Sequence, residues 1–319
     1  MFKLSLPKQK TLAALLLLSI VANVFMAYQY AGIGKQKQEF ELLSPEVAWL
    51  DVNEFLAKQK TFTVSYQTLK PQLNSTLNNP MVQGNYGIYL EDLTSGAWLG
   101  INEKEMFVPM SLLKVPTMVA VLKKVELGDI SLDQKLAIQE EDLNAVSGSL
   151  AQKGAGYEIT VRDLLRIMIK ESDNTALLTF NKRVITLDEL DEAKTAMGIK
   201  DSTNNDEAIS PKAYSNILRS LYLSSYLRRP FSQIALSIMS ETDYNTQLPA
   251  GVPAGVKVAH KVGFDASYGI YHDCGIIYLP TKPYILCMMS TNANYNEANS
   301  VISEISNKAY NHMEGELNG

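Results

Sequence analysis

The sequence predicts an α+β domain in which a five-stranded antiparallel sheet is assembled from both ends of the chain, with flanking helices and an inserted all-helical lobe. Three observations lead there. Two runs of strand character lie before the middle of the chain, and three more, rich in Ile, Val and Tyr, lie in its last quarter. Between them, from Gly128 to about Arg229, apolar residues recur at helical spacing. A final stretch with helical character, residues 296–312, closes the chain.

In order, Ser44-Pro45-Glu46 has proline and an acid where a first helical turn wants them. Residues 63–78 space Leu69, Leu73 and Leu77 four apart, an amphipathic helix despite Pro71. Tyr86–Leu93 and Ala97–Asn102 read as strands around a Thr94-Ser95-Gly96 turn. In Thr160–Ile169, Val161, Leu164, Leu165 and Met168 form one apolar face, and Thr160 with Asp163 resembles a capping box. Pro211–Tyr226 and Phe231–Met239 give further helices. Val256–Val262, Gly269–Leu279 and Tyr284–Ser290 supply the last three strands. These boundaries divide the body, residues 63–319, into a sheet part (63–127 and 251–319) and a lobe (128–250).

The 319 residues are 46% hydrophobic, enough for one large domain or two closely packed ones. Lys3, Lys8 and Lys10 precede a charge-free run, Thr11–Gly34, which is the pattern of an export signal. Its length, the lack of a clean small-x-small site and the bulky Val24-Phe25-Met26 favour a retained membrane anchor over a cleaved signal. Lysines on its N-terminal flank place the body outside the cytoplasm. Residues 35–62 are then a juxtamembrane segment, a stalk or a partner-binding arm. With the three lysines of residues 1–32 set aside, 26 basic face 34 acidic side chains, a balance of −8, which argues against nucleic acid as a partner. Three scattered histidines, His260, His272 and His312, assemble no metal cluster by spacing. Cys274 and Cys287 lie on two apolar runs joined by a short turn. Unpaired buried thiols are the expected state, since directly opposed strand positions often fit disulfide geometry badly.

The chemistry centres on Met110–Lys124. No charge falls between Lys114 and Lys123, and a helix apolar all round belongs in a core. Its start nonetheless carries Ser111 and Lys114, three residues apart and so on one face. A lysine desolvated by apolar neighbours loses affinity for its proton. The neutral amine can then act as general base toward a serine hydroxyl. The pair alone is a weak signal: Ser5–Lys8 has the same spacing, and Ser111 read by itself is a helix cap with Lys114 reaching to water.

Two further elements sharpen it. Ser172-Asp173-Asn174 follows one helical run and opens another, and Lys261-Val262-Gly263 lies on a strand-like segment ending at Phe264. The order S-x-x-K, S-D-N, K-x-G resembles that of the penicillin-recognising serine hydrolases, class A β-lactamases and D-alanyl-D-alanine peptidases. The resemblance covers residues 63–315 and implies a β-lactamase/transpeptidase-like fold with no cofactor and no metal. It implies Ser111 as nucleophile, Lys114 as its base, and Ser172 as relay toward the leaving nitrogen. It further implies that Asn174 donates to the substrate amide and steadies Lys114, and that Lys261 presents charge to a substrate carboxylate. The oxyanion would lie between the backbone N–H groups of Ser111 and Phe264, and Asp173 would hold its loop.

Two departures qualify the resemblance. Val262 replaces the threonine of K-T-G, removing a hydroxyl that helps to hold a substrate carboxylate. And Ile185–Ser210, where class A lactamases place a water-activating glutamate followed by asparagine, has no E-x-x-x-N or E-x-x-N arrangement. Asp188, Glu189, Asp191 and Glu192 fit an exposed helix face, leaving Asp206 and Glu207 as the candidate substitutes. The expectation is an exported serine hydrolase acylated at Ser111 by a β-lactam or a D-Ala-D-Ala-type peptide, with slow deacylation. A cell-wall D-alanyl-D-alanine peptidase and a non-catalytic binder of cell-wall peptides are the competing readings.

Overall fold

A computed structural model describes residues 41–44, 65–199, 208–280 and 282–318. The charge-free segment 11–34, the start at Ser44-Pro45-Glu46 beyond Ser44, and Asp206 with Glu207 lie outside these residues. Among the described residues no helix is long and apolar enough to cross a membrane.

Helix α1 (Leu69–Leu77) buries Leu69 and Leu73, and Pro71 sits in its first turn, where a missing N–H costs nothing. Strands β1 (Asn85–Asp92) and β2 (Trp98–Ile101) form a hairpin. A 3₁₀ turn, Met110–Leu113, then runs into α2 (Lys114–Leu127), which ends at Gly128 in the left-handed conformation that glycine adopts freely. Lys114 through Leu122 are all buried, as an all-round apolar stretch requires. The helix is enclosed by the lobe that follows.

That lobe is not purely helical. Strands β3 (Lys135–Ala137) and β4 (Glu158–Thr160) pair antiparallel within it, correcting the expected all-helical insertion. Three residues are too few for alternation to register in a sequence, and only Ile159 of the ribbon is buried. Helices α3 (Val161–Lys170), α4 (Asn174–Arg183) and α5 (Leu187–Ala196) follow, then α6 (Pro211–Leu223) and α7 (Arg229–Met239). Their starts are chemically marked. The Thr160 side chain accepts from the Asp163 N–H, Thr186 and Glu189 make a reciprocal capping box, and Ser210 caps ahead of Pro211. On α5, Asp188 and Glu192 are exposed, Glu189 pairs with Lys124 and Asp191 with Lys194.

Strands β5 (Val258–Asp265), β6 (Ile270–Ile277) and β7 (Tyr284–Thr291) complete a sheet of order β2-β1-β7-β6-β5, antiparallel throughout. Helix α8 (Tyr295–Asn318) packs with α1 over one face, where Leu69, Leu73, Ile302 and Ile305 meet Ile88, Leu90, Leu286 and Met288. Side chains of this kind each contribute about 1.5–3 kcal/mol when fully buried. The central strands are buried on both faces, which is why they read as continuous apolar runs. Cys274 and Cys287 stand opposite each other on β6 and β7 and form a disulfide, correcting the expectation of unpaired thiols. Ahead of the domain, Leu42 and Leu43 are buried. Leu42 is fixed by bonds from its N–H to Gln233 and from Tyr278 to its carbonyl, and Ser44 donates to the Tyr222 carbonyl.

Candidate active site

The site forms where the 3₁₀ turn meets edge strand β5. The run-up to the turn is pinned: Phe107 and Ile209 exchange backbone hydrogen bonds of 3.0 and 2.8 Å. His272 supplies a second pin. Its Nδ1 accepts from the Ser290 N–H at 3.1 Å, so the proton sits on Nε2, which donates to the Val108 carbonyl at 2.9 Å. Burial lowers its pKa to about 4, keeping the ring neutral. Met110, immediately before Ser111, has φ +51°, a conformation that costs a non-glycine residue energy and turns the chain sharply into the nucleophile.

Sequence spacing places Ser111 and Lys114 on one helix face, and the structure brings them closer still. The turn is 3₁₀, with three residues per turn, so positions three apart stack directly. Lys114 Nζ lies 3.0 Å from Ser111 Oγ. The lysine is 1% exposed and does not reach water. It also approaches the Ser172 carbonyl at 2.6 Å, Asn174 Oδ1 at 2.7 Å and Ser172 Oγ at 3.1 Å. The first two are obligate acceptors, so they take two N–H bonds in either charge state. The remaining direction faces two hydroxyls, which can donate. When Lys114 is neutral its lone pair therefore points at Ser111 and Ser172. Burial lowers its pKa to about 8, with the Asp173 charge acting in the opposite sense.

Ser172 has φ +56° and is fully buried, holding carbonyl and hydroxyl toward the same amine. Asp173 begins α4, accepting from the Ala176 N–H at 2.8 Å and from the Leu150 N–H at 2.8 Å. The chain passes so close at Gly148 (φ +88°) that a Cβ there would stand 2.0 Å from Asp173 Oδ2. Asn174 donates its backbone N–H to the Ser147 carbonyl at 3.0 Å and its amide to Asn144 Oδ1 at 3.3 Å. With its Nδ2 turned to Asn144, Asn174 presents Oδ1 to the N–H of Lys114.

On β5, Lys261 and Gly263 face the turn. Lys261 is fully buried and donates to the Val262 carbonyl at 3.0 Å. Its pKa is pulled well below the ordinary lysine value, by burial first and then by the nearby charge of Lys114, against an opposing contribution from Asp273. Gly263 lies against the carbonyl of Pro109, and Phe264 follows it with its ring 46% exposed. Ser111, Lys114, Ser172 and Asn174 are thus joined by hydrogen bonds, Lys261 lies within electrostatic reach, and Val262, Gly263 and Phe264 form the wall beside them.

Three participants carry no motif. Asn144 orients Asn174. Tyr244 holds its ring centroid 5.5 Å from Lys261 Nζ and its hydroxyl on the Glu171 carbonyl at 3.3 Å. Gln247 lines a cavity of about 310 Å³ beside Val262 and Phe264. All three sit in loops, where only the folded chain shows proximity. Among the described residues no group of three or more His, Cys, Asp or Glu could hold a metal ion.

Known proteins resemble this chain in sequence and in fold. The family described as "Beta-lactamase enzyme family" matches residues 68–313. β-Lactamase SME-1 of Serratia marcescens is 24% identical over 234 residues, covering 68% of this chain and 79% of its own. β-Lactamase VEB-1 of Pseudomonas aeruginosa is 24% identical over 280 residues, covering 79% and 94%. Among solved structures, PBP-A superposes with a TM-score of 0.71 at 25% identity, covering 78% of this chain and 97% of that one. A mutant of PBP-A, solved as an acyl-enzyme complex with penicillin G, gives 0.70 at 26%, covering 77% and 96%.

Proposed function

The chain belongs to the β-lactamase enzyme family and is a class A β-lactamase-like serine hydrolase, and from that premise we propose a mechanism in which Ser111 is acylated by a β-lactam or a D-Ala-D-Ala-type peptide and released slowly. The observation that carries it is the Lys114 amine, buried, with pKa near 8 and its free direction on Ser111 Oγ. About a tenth of such an amine is neutral at pH 7. Ser111 Oγ attacks the carbonyl carbon as Lys114 takes its proton. The new C–O bond forms, the C–N bond breaks, and the proton passes through Ser172 Oγ to the departing nitrogen. The oxyanion rests on the N–H groups of Ser111 and Phe264, donors worth roughly 3–4 kcal/mol each in acyl transfer. Asn174 binds the acyl side-chain amide, and Lys261, its pKa drawn down by burial and then by the Lys114 charge, stands beside the base.

Deacylation needs a base for water. The stretch 185–210 lacks the glutamate–asparagine arrangement, so the ester persists or passes to an amine acceptor. A peptidase of cell-wall metabolism is the second reading, favoured by that same gap, and the charge-free segment 11–34 would tether either enzyme outside the cytoplasm. The test incubates the full chain with a fluorescent penicillin, with Ser111→Ala as control, and follows the label. Persistent label on Ser111 indicates the slow acyl-enzyme, rapid loss with turnover indicates a competent lactamase, and no label removes the acyl-transfer reading in favour of a binding module.

A further inference from the structure

The cavity beside the strand is chemically unlike a carboxylate site. Tyr244, Val262, Phe264, Tyr271 and Tyr295 contribute to its walls, with His272 at its base. No lysine, arginine or acid lines it. His272 is held neutral with both ring nitrogens engaged, and the fully buried Lys261 amine, which donates to the Val262 carbonyl, does not line the cavity. At the mouth Phe264 and Tyr295 are 46% and 56% exposed, large apolar surfaces that a polar ligand would leave wet. One polar group inside is unspent. Gln247 is 7% exposed, and its Oε1 is buried with no hydrogen-bond partner among the described residues. A buried acceptor left unmet is costly, and a donor on a ligand would relieve it. A carboxylate would instead meet apolar walls and a second acceptor, with no cation to offset its desolvation.

Resting on the acyl-transfer reading of Ser111, we propose that this cavity is the leaving-group subsite and takes an uncharged apolar or aromatic group carrying a hydrogen-bond donor in preference to the carboxylate that a penicillin or D-alanyl leaving group brings. Its position fits. Val262 and Tyr244 flank Lys261 at the β5 side of the site, whereas Asn144 and Asn174, to which the proposed mechanism gives the acyl side-chain amide, belong to the lobe. The cavity is large enough for a substituted phenyl ring.

The test uses the full chain and two N-acylglycyl thioesters that share an acyl group, one with a 4-(hydroxymethyl)benzyl thiol leaving group, whose hydroxyl can donate to Gln247, and one with thioglycolate. Ser111 Oγ displaces the thiolate, which departs with the C–S electron pair and takes up the proton from Ser111. Both give the same acyl-enzyme, so a difference in kcat/KM reports the leaving group alone. The benzyl thioester is expected to lead by about tenfold or more, the scale on which an apolar pocket discriminates. Thr246→Trp, at an exposed loop position lining the cavity, should bring the ratio toward one, and Asn299→Phe from α8 should do the same should that variant misfold. Equal rates or a thioglycolate preference overturn the inference while penicillin labelling of Ser111 leaves the acyl-transfer reading standing. A benzyl preference that survives both substitutions overturns the assignment to this cavity. No turnover and no penicillin label remove both.

Discussion

A methyl group on Gly263 would stand 2.7 Å from the carbonyl oxygen of Pro109, two residues ahead of the nucleophile. It would also meet Leu112 at 3.2 Å and His272 at 3.4 Å. Backbone cannot rotate away as a side chain can, so Gly263→Ala must part β5 from the turn that carries Ser111. Overpacking of this kind costs about 1–3 kcal/mol. The expected signature is a moderate loss of thermal stability with a disproportionate loss of penicillin labelling rate, because Phe264 moves with the strand. Labelling that falls no further than stability would separate strand position from acylation.

The Lys114 amine predicts a pH profile. Acylation should rise with pH to a plateau, with an apparent pKa of about 8. Stability follows the same group with a defined sign. Its folded pKa is lowered from 10.5, so the unfolded chain binds more protons between about 8 and 10.5, and stability rises with pH there. The penalty below that window is on the order of 3 kcal/mol. Lys114→Met lacks this titration, so the stability difference between the two proteins should move in favour of the native chain as pH rises from 8 to 10. Parallel pH curves for the pair would refute the assignment.

Asp173 bears on stability as well as on the charge of Lys114. It satisfies two buried N–H groups, those of Ala176 and Leu150, and so fastens the 147–150 loop to the start of α4. Asp173→Ala leaves both donors unmet and should cost about 2–4 kcal/mol, whereas Asp173→Asn keeps one acceptor and should cost less. Thermal unfolding of the two variants checks the order.

Much of this was legible before any coordinates. The helix starting at Pro211, the Thr160 cap and the strands from Val258 onward all carry local signals, because caps and alternation are read from a few adjacent residues. Ser111 with Lys114, and Ser172 with Asn174, were legible because each pair is local, and the lobe only had to bring two short segments together. The β3–β4 ribbon was illegible since three-residue strands have no period. The Cys274–Cys287 bond depended on register, Cys274 falling opposite Cys287, and a one-residue slip would have separated the sulfurs. Asn144, Tyr244 and Gln247 act from loops, where no spacing rule reaches. The cavity they help to define is a product of packing alone.

That disulfide gives a further prediction. It joins residues 13 apart on neighbouring central strands, and closing a loop of that length in the unfolded chain is worth about 3 kcal/mol. The double variant Cys274→Ala/Cys287→Ala should unfold earlier by about that amount, with the site geometry retained. Thiol titration of the denatured native chain should find no free sulfhydryl; two reactive thiols would contradict the bond.

Val262 tests how the strand meets an anion. It is 5% exposed, follows Lys261 and lines the apolar cavity, so a penicillin carboxylate arriving there finds a lysine buried behind the cavity wall and no hydroxyl. Val262→Thr is nearly isosteric and restores one donor at the strand edge. A hydrogen bond to a charged group is worth about 1.5–3 kcal/mol, so acylation by benzylpenicillin should quicken by about tenfold or more. Hydrolysis of a neutral thioester should gain nothing, because it has no carboxylate to hold. Stopped-flow acylation of the two proteins by both substrates decides the matter. An unchanged penicillin rate means that the hydroxyl was not the missing contact, and that the anion is held, if at all, by Lys261 alone.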